Sequence, residues 1–339
     1  MNRRTTVITT TSFIIAVALL ASTITAGKLP AEKAGTIGEL TGQIAFIRNK
    51  DIWVMNANGS AQRAVTEVQN ADGRLSWSPN GREIMFVRSG TVDLKGPDFM
   101  GGRHKVYDLF KAFLDSVDNN NTLFWYRITT DLGSRDPEWR PDGTIIFTKD
   151  INANQADAVF PNYQICTMDS DGSNFEILRK DWQNMPEFFM SPTINSKGEI
   201  AFVHMYSSQD NQPPKPQGIA VLAKDKFMTS IDKVRVMSKK NAGAVNPAWS
   251  PDGKWLAYVS NDIKSPGLFI MTADLSSTYM VFEPPIGTYL YTFAPSFSAD
   301  SKWLTFSTTD GSIWVCDITG NKARRLSGPG NDKGPAWSK

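Results

Sequence analysis

The chain has 339 residues, of which 41% are hydrophobic, and this length accommodates one large domain or two ordinary ones with a sizeable core. Its 36 Lys and Arg residues almost balance its 34 Asp and Glu residues, which gives a formal net charge of +2 at pH 7. A nearly neutral chain gives no sign of the concentrated basic surface that nucleic-acid binding requires, so we expect no nucleic-acid partner.

The N-terminus has the layout of a secretory signal. Arg3 and Arg4 precede an apolar run from about Phe13 to Leu20, and small residues follow up to Ala26. The apolar run is short for a membrane span, so residues 1–26 are predicted to be an export signal, with an uncleaved membrane anchor as the alternative. Residues 27–41 are then a linker. The protein is expected in the periplasm or outside the cell, in contact with a membrane only through an uncleaved N-terminal segment.

A short strand motif, Ile or Leu followed two residues later by Phe or Tyr, recurs after the linker. The copies begin at Ile44, Ile84, Ile145, Ile200, Leu256 and Leu304. The shortest interval, from the first copy to the second, is the length of a four-stranded blade, and the longer intervals leave room for loop insertions.

Most copies follow a tight turn that carries Pro and Gly. In NPAWSPDGKWLAYVS, residues 246–260, Pro251 presets φ for the turn and Gly253 tolerates its closing geometry. Aromatic and branched residues come next, which is the composition of a strand. A second apolar strand and an Asp-Gly or Asn-Gly turn follow most copies, so each unit supplies about four short strands, as is typical of a propeller blade.

The two ends of the repeat region complement each other. The copy at Ile44 has no Pro-x-Trp motif before it, and GPAWSK, residues 334–339, is such a motif with no strand core after it. If the last strand pairs with the first blade, no sheet edge stays open between the first and last blades. We therefore predict an all-β fold over residues 42–339: a six-bladed β-propeller of four-stranded antiparallel blades, closed by the C-terminal strand. The Trp residues of the motif are predicted to pack between blades; they are Trp77, Trp139, Trp249 and Trp337.

These repeats resemble those of TolB-type six-bladed β-propellers. The similarity rests on NPAWSPDGKWLAYVS followed by GLFIMTADLSS, and on APSFSADSKWLTFS followed by SIWVCDITGNKARRLS, and it covers about residues 42–339. The resemblance implies a periplasmic propeller that binds other envelope proteins through one face and the channel mouth. In that family a smaller α/β domain precedes the propeller, whereas here only residues 28–41 separate Gly27 from the first blade.

Sequence signatures of catalysis and metal binding are weak. No Gly-x-Ser-x-Gly elbow occurs, and His104 and His204 do not stand at metal-ligand spacing. The segment MDSDGSNFE, residues 168–176, departs from the calcium-loop pattern. Cys166 and Cys316 occupy the same kind of strand in distant repeats, so we expect them to be half-buried and unpaired. We therefore predict no enzyme activity, no metal and no cofactor.

Two groups of residues are candidates for partner binding. In HKVYDLFKAFLDSVD, residues 104–118, apolar side chains recur at helical spacing, which predicts a helix within an insertion at about 91–120. This helix packs on the propeller, forms a lid or docks a partner, and its candidate contact residues are Val106, Leu109, Phe110 and Phe113. Residues just before the Pro-x-Trp motifs approach the channel mouth if these strands are innermost; they are Arg74, Arg135, Asp136 and Asn246.

Two functional hypotheses follow from the sequence. The first is a non-catalytic protein-binding or scaffolding propeller of the cell envelope, monomeric and with an envelope protein as its partner. The alternative is an enzyme or binder that uses polar residues of the channel on a carbohydrate or another small ligand.

Overall fold

A computed structural model describes residues 40–93, 103–117, 123–154, 161–178, 187–206, 215–223, 235–236, 243–260, 262 and 265–339. The predicted export signal and all but the last two residues of the linker lie outside these ranges. The described residues form strands and connections without a helix, so none of them belongs to a helix long and apolar enough to cross a bilayer.

The described strands number 24. The first twelve are β1 (Gln43–Arg48), β2 (Asp51–Asn56), β3 (Arg63–Ala64), β4 (Ala71–Trp77), β5 (Glu83–Asp93), β6 (Arg103–Val117), β7 (Leu123–Arg127), β8 (Ser134–Trp139), β9 (Thr144–Asp150), β10 (Tyr163–Asp169), β11 (Glu176–Ile177) and β12 (Glu187–Ile194). The others are β13 (Glu199–Tyr206), β14 (Lys215–Ala223), β15 (Arg235–Val236), β16 (Ala244–Trp249), β17 (Trp255–Ser260), β18 (Gly267–Thr272), β19 (Thr278–Phe282), β20 (Ser296–Phe297), β21 (Trp303–Thr308), β22 (Ser312–Asp317), β23 (Ala323–Arg325) and β24 (Asp332–Trp337).

These strands form six antiparallel four-stranded sheets, which are the blades of a propeller. Blades 2 to 6 each use four consecutive strands, from β4–β7 to β20–β23, whereas blade 1 has the order β24-β1-β2-β3. Ile44 pairs with Trp337 and Ala45 with Ala336. The predicted six-bladed fold and its closure by the C-terminal strand are therefore confirmed.

The core of the protein lies between blades. Each of six clusters of buried apolar side chains joins two neighbouring blades, and together the clusters go once around the ring. The four Trp residues of the repeated motif are between 2% and 7% exposed and belong to these clusters, as predicted. Cys166 in β10 and Cys316 in β22 are free and buried in two different clusters.

The predicted helix around residues 104–117 is wrong, because this segment is the long strand β6. It pairs with β5 from Glu83↔Phe113 to Asp93↔Arg103. The strand β6 is the third strand of blade 2, and the neighbouring blades cover both of its faces. Leu109 packs towards blade 3, and Phe110 packs towards blade 1. Apolar residues therefore do not alternate strictly along β6, and the pattern imitates a helix.

Two charged residues of β6 that fit the solvated side of a helix are in fact buried. Asp108 binds Arg127 at 2.6 Å, and Nζ of Lys111 lies 3.4 Å from the Glu83 carboxylate. Each buried charge is therefore compensated by an opposite charge within its own blade.

The innermost strand of each blade, here called an inner strand, lines the central channel; these strands are β24, β4, β8, β12, β16 and β20. In the first five, a β-bulge interrupts the pairing with the second strand of the blade. Each bulge contains a residue with positive φ: Gly334 (60°), Gly73 (76°), Asp136 (51°), Ser191 (51°) and Asn246 (54°). Apart from Gly73, these residues precede a Pro, which an inner strand tolerates because its channel side has no neighbouring strand to bond.

Hydrogen bonds between inner strands repeat around the channel. The backbone N–H of Trp139 donates to Oγ of Ser76 at 2.7 Å, and that of Trp337 donates to Oγ of Ser296 at 2.9 Å. Trp249 donates in the same way to Oγ1 of Thr193 at 3.2 Å. A hydroxyl residue near the end of one inner strand thus satisfies the backbone N–H of the motif Trp in the next blade, which no strand could reach.

The closing strand pair carries a bidentate ion pair. Nε and one Nη of Arg48 on β1 each donate to a carboxylate oxygen of Asp332 on β24 at 2.6 Å. Asp332 is buried, and the guanidinium also lies 4.9 Å from the ring centre of Phe46 and 4.8 Å from that of Trp53. This arrangement fixes the first residue of β24 against β1.

We expect Asp332→Asn to destabilise the whole ring, because it leaves Arg48 without its counter-charge. Removing one partner of a buried ion pair costs roughly 3–5 kcal/mol, and the partial exposure of Arg48 favours the lower end. Asp115→Asn is the control, since Asp115 and Arg82 form an exposed pair at 3.6 Å whose loss costs less than about 1 kcal/mol. Urea denaturation measures both, and equal losses in the two variants would contradict the prediction.

Candidate functional site

The two faces of the propeller carry different connections. In every blade the inner strand begins on the same face of the propeller. Because neighbouring strands are antiparallel, the links from a second to a third strand lie on this face. The links from one blade to the next lie on this face as well. On this face the intervals of chain between strand ends are longest after β5, β9, β11, β13, β15 and β19. On the opposite face the intervals between strand ends are short, except between β14 and β15. We call the first the insertion face and the second the turn face.

The channel opens on the insertion face through a group of charged and aromatic residues. This mouth cluster consists of Asp72, Lys105, Tyr107, Arg135, Tyr163 and Lys333. Asp72 accepts hydrogen bonds from Nζ of Lys105 at 2.7 Å and from Nζ of Lys333 at 3.2 Å. Burial alone raises the pKa of the Asp72 carboxyl, but the two lysines outweigh it and hold the pKa below its ordinary value.

Arg135 is held between two aromatic rings of the mouth cluster. Its guanidinium carbon lies 4.5 Å from the ring centre of Tyr107 and 5.6 Å from that of Tyr163. The backbone N–H of Tyr107 donates to the carbonyl of Leu132 at 2.9 Å, which fixes β6 against the chain that leads into the inner strand β8. The position of Arg135 is therefore set by two third strands, β6 and β10.

The bulge residues of blades 3, 4 and 5 meet directly behind the mouth cluster. Oγ of Ser191 lies 3.1 Å from a carboxylate oxygen of Asp136 and 3.0 Å from the side-chain oxygen of Asn246. A hydroxyl has one proton and serves one of these acceptors at a time. The positive φ of all three residues turns their side chains to the same level of the channel, which is why they meet.

Deeper in the channel, Arg74 and Glu138 form an ion pair that links three blades. A second amino group of Arg74 donates to the carbonyl of Pro192 at 2.9 Å. The other carboxylate oxygen of Glu138 accepts from Oγ1 of Thr193 at 3.1 Å and from the N–H of Ile194 at 3.3 Å. Both charged side chains are about nine-tenths buried, so the pair acts as a cross-brace inside the ring.

The space beside this ion pair is small. A cavity of about 50 Å³ lies between Arg74, Glu138 and Lys339, and Nζ of Lys339 donates to the carbonyl of Trp139 at 3.3 Å. Pockets for small organic ligands are commonly about 300–1,000 Å³. A cavity of this volume accommodates water molecules but not a sugar.

The eight candidate residues occupy three parts of the structure: the channel, the core and an outer patch. In the channel, Arg135 belongs to the mouth cluster, Asp136 and Asn246 lie directly behind it, and Arg74 lies deeper. Val106, Leu109 and Phe110 are 0–7% exposed and serve the core. Phe113 is partly exposed and stacks on Tyr126 at 5.7 Å, in an aromatic patch with Phe124 on the outer part of blade 2.

Several mouth residues were missed from the sequence. Asp72 and Lys333 directly precede the bulge residues Gly73 and Gly334, as Arg135 precedes Asp136, so alignment of the repeats on the bulge would have found them. Tyr107 and Tyr163 come from third strands, where no repeated motif marks a channel position. In the described part of the chain, no three His, Cys, Asp or Glu side chains gather as metal ligands would.

We expect Glu138→Gln to lower the free energy of unfolding by roughly 3–5 kcal/mol, because a buried Arg74 then lacks a counter-charge. Chemical denaturation measures the loss. The double variant Arg74→Met with Glu138→Gln should lose clearly less than the sum of the two single variants, since neither charge is then left alone. Strictly additive losses would show that the two residues do not act as a pair.

Comparison with known proteins identifies the fold. No protein-family profile and no curated protein matches the sequence. The solved structure of TolB from Acinetobacter baumannii is similar, with a TM-score of 0.61 and 18% identity over 89% of this chain and 67% of that one. A putative TolB from Agrobacterium tumefaciens has a TM-score of 0.58 and 14% identity over 88% of this chain and 92% of its own.

A chain of the nidogen/laminin complex is also similar, with a TM-score of 0.57 and 12% identity over 88% of this chain and 98% of its own. Identities this low show the fold alone. The chain is thus a six-bladed β-propeller of the kind seen in TolB structures.

Proposed function

We propose that this protein is a non-catalytic binding propeller that holds a partner protein on its insertion face, over the channel mouth. The observation that carries the proposal is that the longer connections and the mouth cluster share one face. Binding residues of repeat folds gather on variable loops that a rigid scaffold positions. The similar chain in a nidogen/laminin complex supports a protein partner, because that propeller was solved within a protein assembly.

The alternative of a channel enzyme has less support from the geometry. Glu138 is the carboxylate beside the deep cavity, and it already binds Arg74, Thr193 and the backbone of Ile194. A carboxylate whose two oxygens already bind these partners has little capacity left to bind a substrate. The small volume beside it leaves little space for a carbohydrate.

We further propose that the partner is a protein of the cell envelope and that this chain is exported. The support is the signal-like N-terminus together with the likeness to the TolB propellers. The insertion face would then point towards a periplasmic or extracellular partner.

Photo-crosslinking from two matched positions tests the proposal in the native envelope. Benzoylphenylalanine replaces Tyr289, which is 51% exposed on the insertion face, or Phe175, which is 47% exposed on the turn face. We expect a protein adduct from position 289 and none from position 175, with mass spectrometry to identify the adduct. Adducts from position 175 alone, from both positions, or from neither would overturn the proposal.

A further inference from the structure

We infer that Arg135 is the receptor for an acidic side chain of the partner protein, which enters the channel mouth and pairs with the guanidinium. This inference rests on the proposed function, because it assumes a protein on the insertion face. It is carried by the weak hydrogen bonding of Arg135, whose side chain is 25% exposed, compared with the other partly buried arginines in the described part of the chain.

Other partly buried arginines already hold a carboxylate. These pairs are Arg48 with Asp332, Arg74 with Glu138, Arg127 with Asp108 and Arg140 with Asp142. The carboxylate oxygen of Asp136 stands 3.9 Å from Nε of Arg135, which is too long for a hydrogen bond. Arg88 also lacks a carboxylate and its Nε is likewise buried without a hydrogen-bond partner among the described residues, but one Nη donates to the carbonyl of Val68 at 3.1 Å.

The donors of Arg135 are little used by the described residues. Nε is buried and has no hydrogen-bond partner among them, and one Nη lies 3.5 Å from the hydroxyl of Tyr163, at the limit of a hydrogen bond. A guanidinium offers five N–H donors in a planar fork that matches a carboxylate. A buried N–H donor that lacks a hydrogen-bond acceptor costs free energy. A carboxylate that binds there supplies the acceptor and recovers this free energy.

The carboxylates near Arg135 make their hydrogen bonds to other groups. Asp136 shares the hydroxyl of Ser191 with Asn246, and one oxygen of Asp150 accepts from the backbone N–H groups of Asn152 at 3.0 Å and Asn162 at 2.8 Å. Among the described residues, no carboxylate therefore forms a hydrogen bond with the guanidinium of Arg135, and its planar fork can still receive one.

The rings of Tyr107 and Tyr163 make Arg135 a preorganised site. Stacking on two aromatic faces fixes the plane of the guanidinium before a ligand arrives, so little side-chain entropy is lost on binding. The Arg135 side chain is only 25% exposed, and this partial burial strengthens an ion pair formed there.

Nuclear magnetic resonance of the nitrogen-labelled full chain tests the inference directly. The Nε–H signal of Arg135 is the one that Arg135→Lys lacks. We expect this signal to move on addition of the blocked peptide acetyl-Gly-Glu-Gly-amide and to stay in place with acetyl-Gly-Gln-Gly-amide. No movement with either peptide, or equal movement with both, would overturn the inference. Movement only with acetyl-Gly-Gly-Gly, whose carboxylate is terminal, would overturn the assignment to an acidic side chain.

A second measurement separates this inference from the proposed function. The crosslinking yield from position 289 is compared between the unchanged protein, Arg135→Gln, Arg135→Lys and the control Arg82→Gln, which removes an exposed charge on the turn face. We expect a loss of about tenfold or more in Arg135→Gln, most of that loss in Arg135→Lys, and no change in the control.

Thermal melting first shows that the variants are folded. The crosslinking yields then distinguish the carboxylate receptor from the proposed function. A full yield in Arg135→Gln would refute the carboxylate receptor and leave the proposed function standing. If the unchanged protein gives no adduct, the proposed function fails, and the resonance titration still decides whether Arg135 binds a carboxylate.

Discussion

The pairing of β24 with β1 is the interaction on which the rest of the structure depends. Each apolar cluster of the core is shared by two neighbouring blades, so a blade buries its two faces only while both neighbours are present. A ring with one open junction would expose the faces of the first and last blades together with a strand edge. The bidentate contact of Arg48 with Asp332 stabilises this junction, where two distant parts of the chain meet.

The bulges of the inner strands link this architecture to the binding site. A bulge increases the local twist and turns one side chain towards the channel. In three neighbouring blades these side chains are Asp136, Ser191 and Asn246, and they form a polar group behind the mouth cluster. The residue before the bulge then faces the mouth itself, as Asp72, Arg135 and Lys333 do. The same distortion that lets the inner strands fit around the channel thus also places the candidate binding residues.

The blades were predictable from the sequence because their signals are local and repeated. Turn residues and strand cores recur in each unit, and Ile44 and Trp337 supply the complementary ends of the ring. The strand β6 was mistaken for a helix because it is buried on both faces and its charges, Asp108 and Lys111, are paired inside the blade. Burial and ion pairing of this kind depend on the neighbouring strands, and a periodicity of polar and apolar residues does not report them.

The candidate site was predictable only in part, for a similar reason. Arg135, Asp136 and Asn246 are marked by the Pro that follows each bulge, so their place in the inner strands could be read from the repeat. The aromatic rings that hold Arg135 come from β6 and β10, and their approach to the channel follows from the tertiary packing of blades 2 and 3. The local sequence around Tyr107 and Tyr163 contains no sign of it.

The position of the closing strand in the chain has a consequence for folding. During synthesis β1 to β3 appear first, yet β1 keeps an unpaired edge until residues 332–337 emerge nearly three hundred residues later. That edge includes the apolar side chains of Ile44 and Phe46, and such edges pair readily with other extended chains. Contacts between residues so distant in sequence also form slowly. The first blade is therefore the part of the molecule that stays open to aggregation for longest, and a chaperone that covered residues 43–48 would protect the nascent protein.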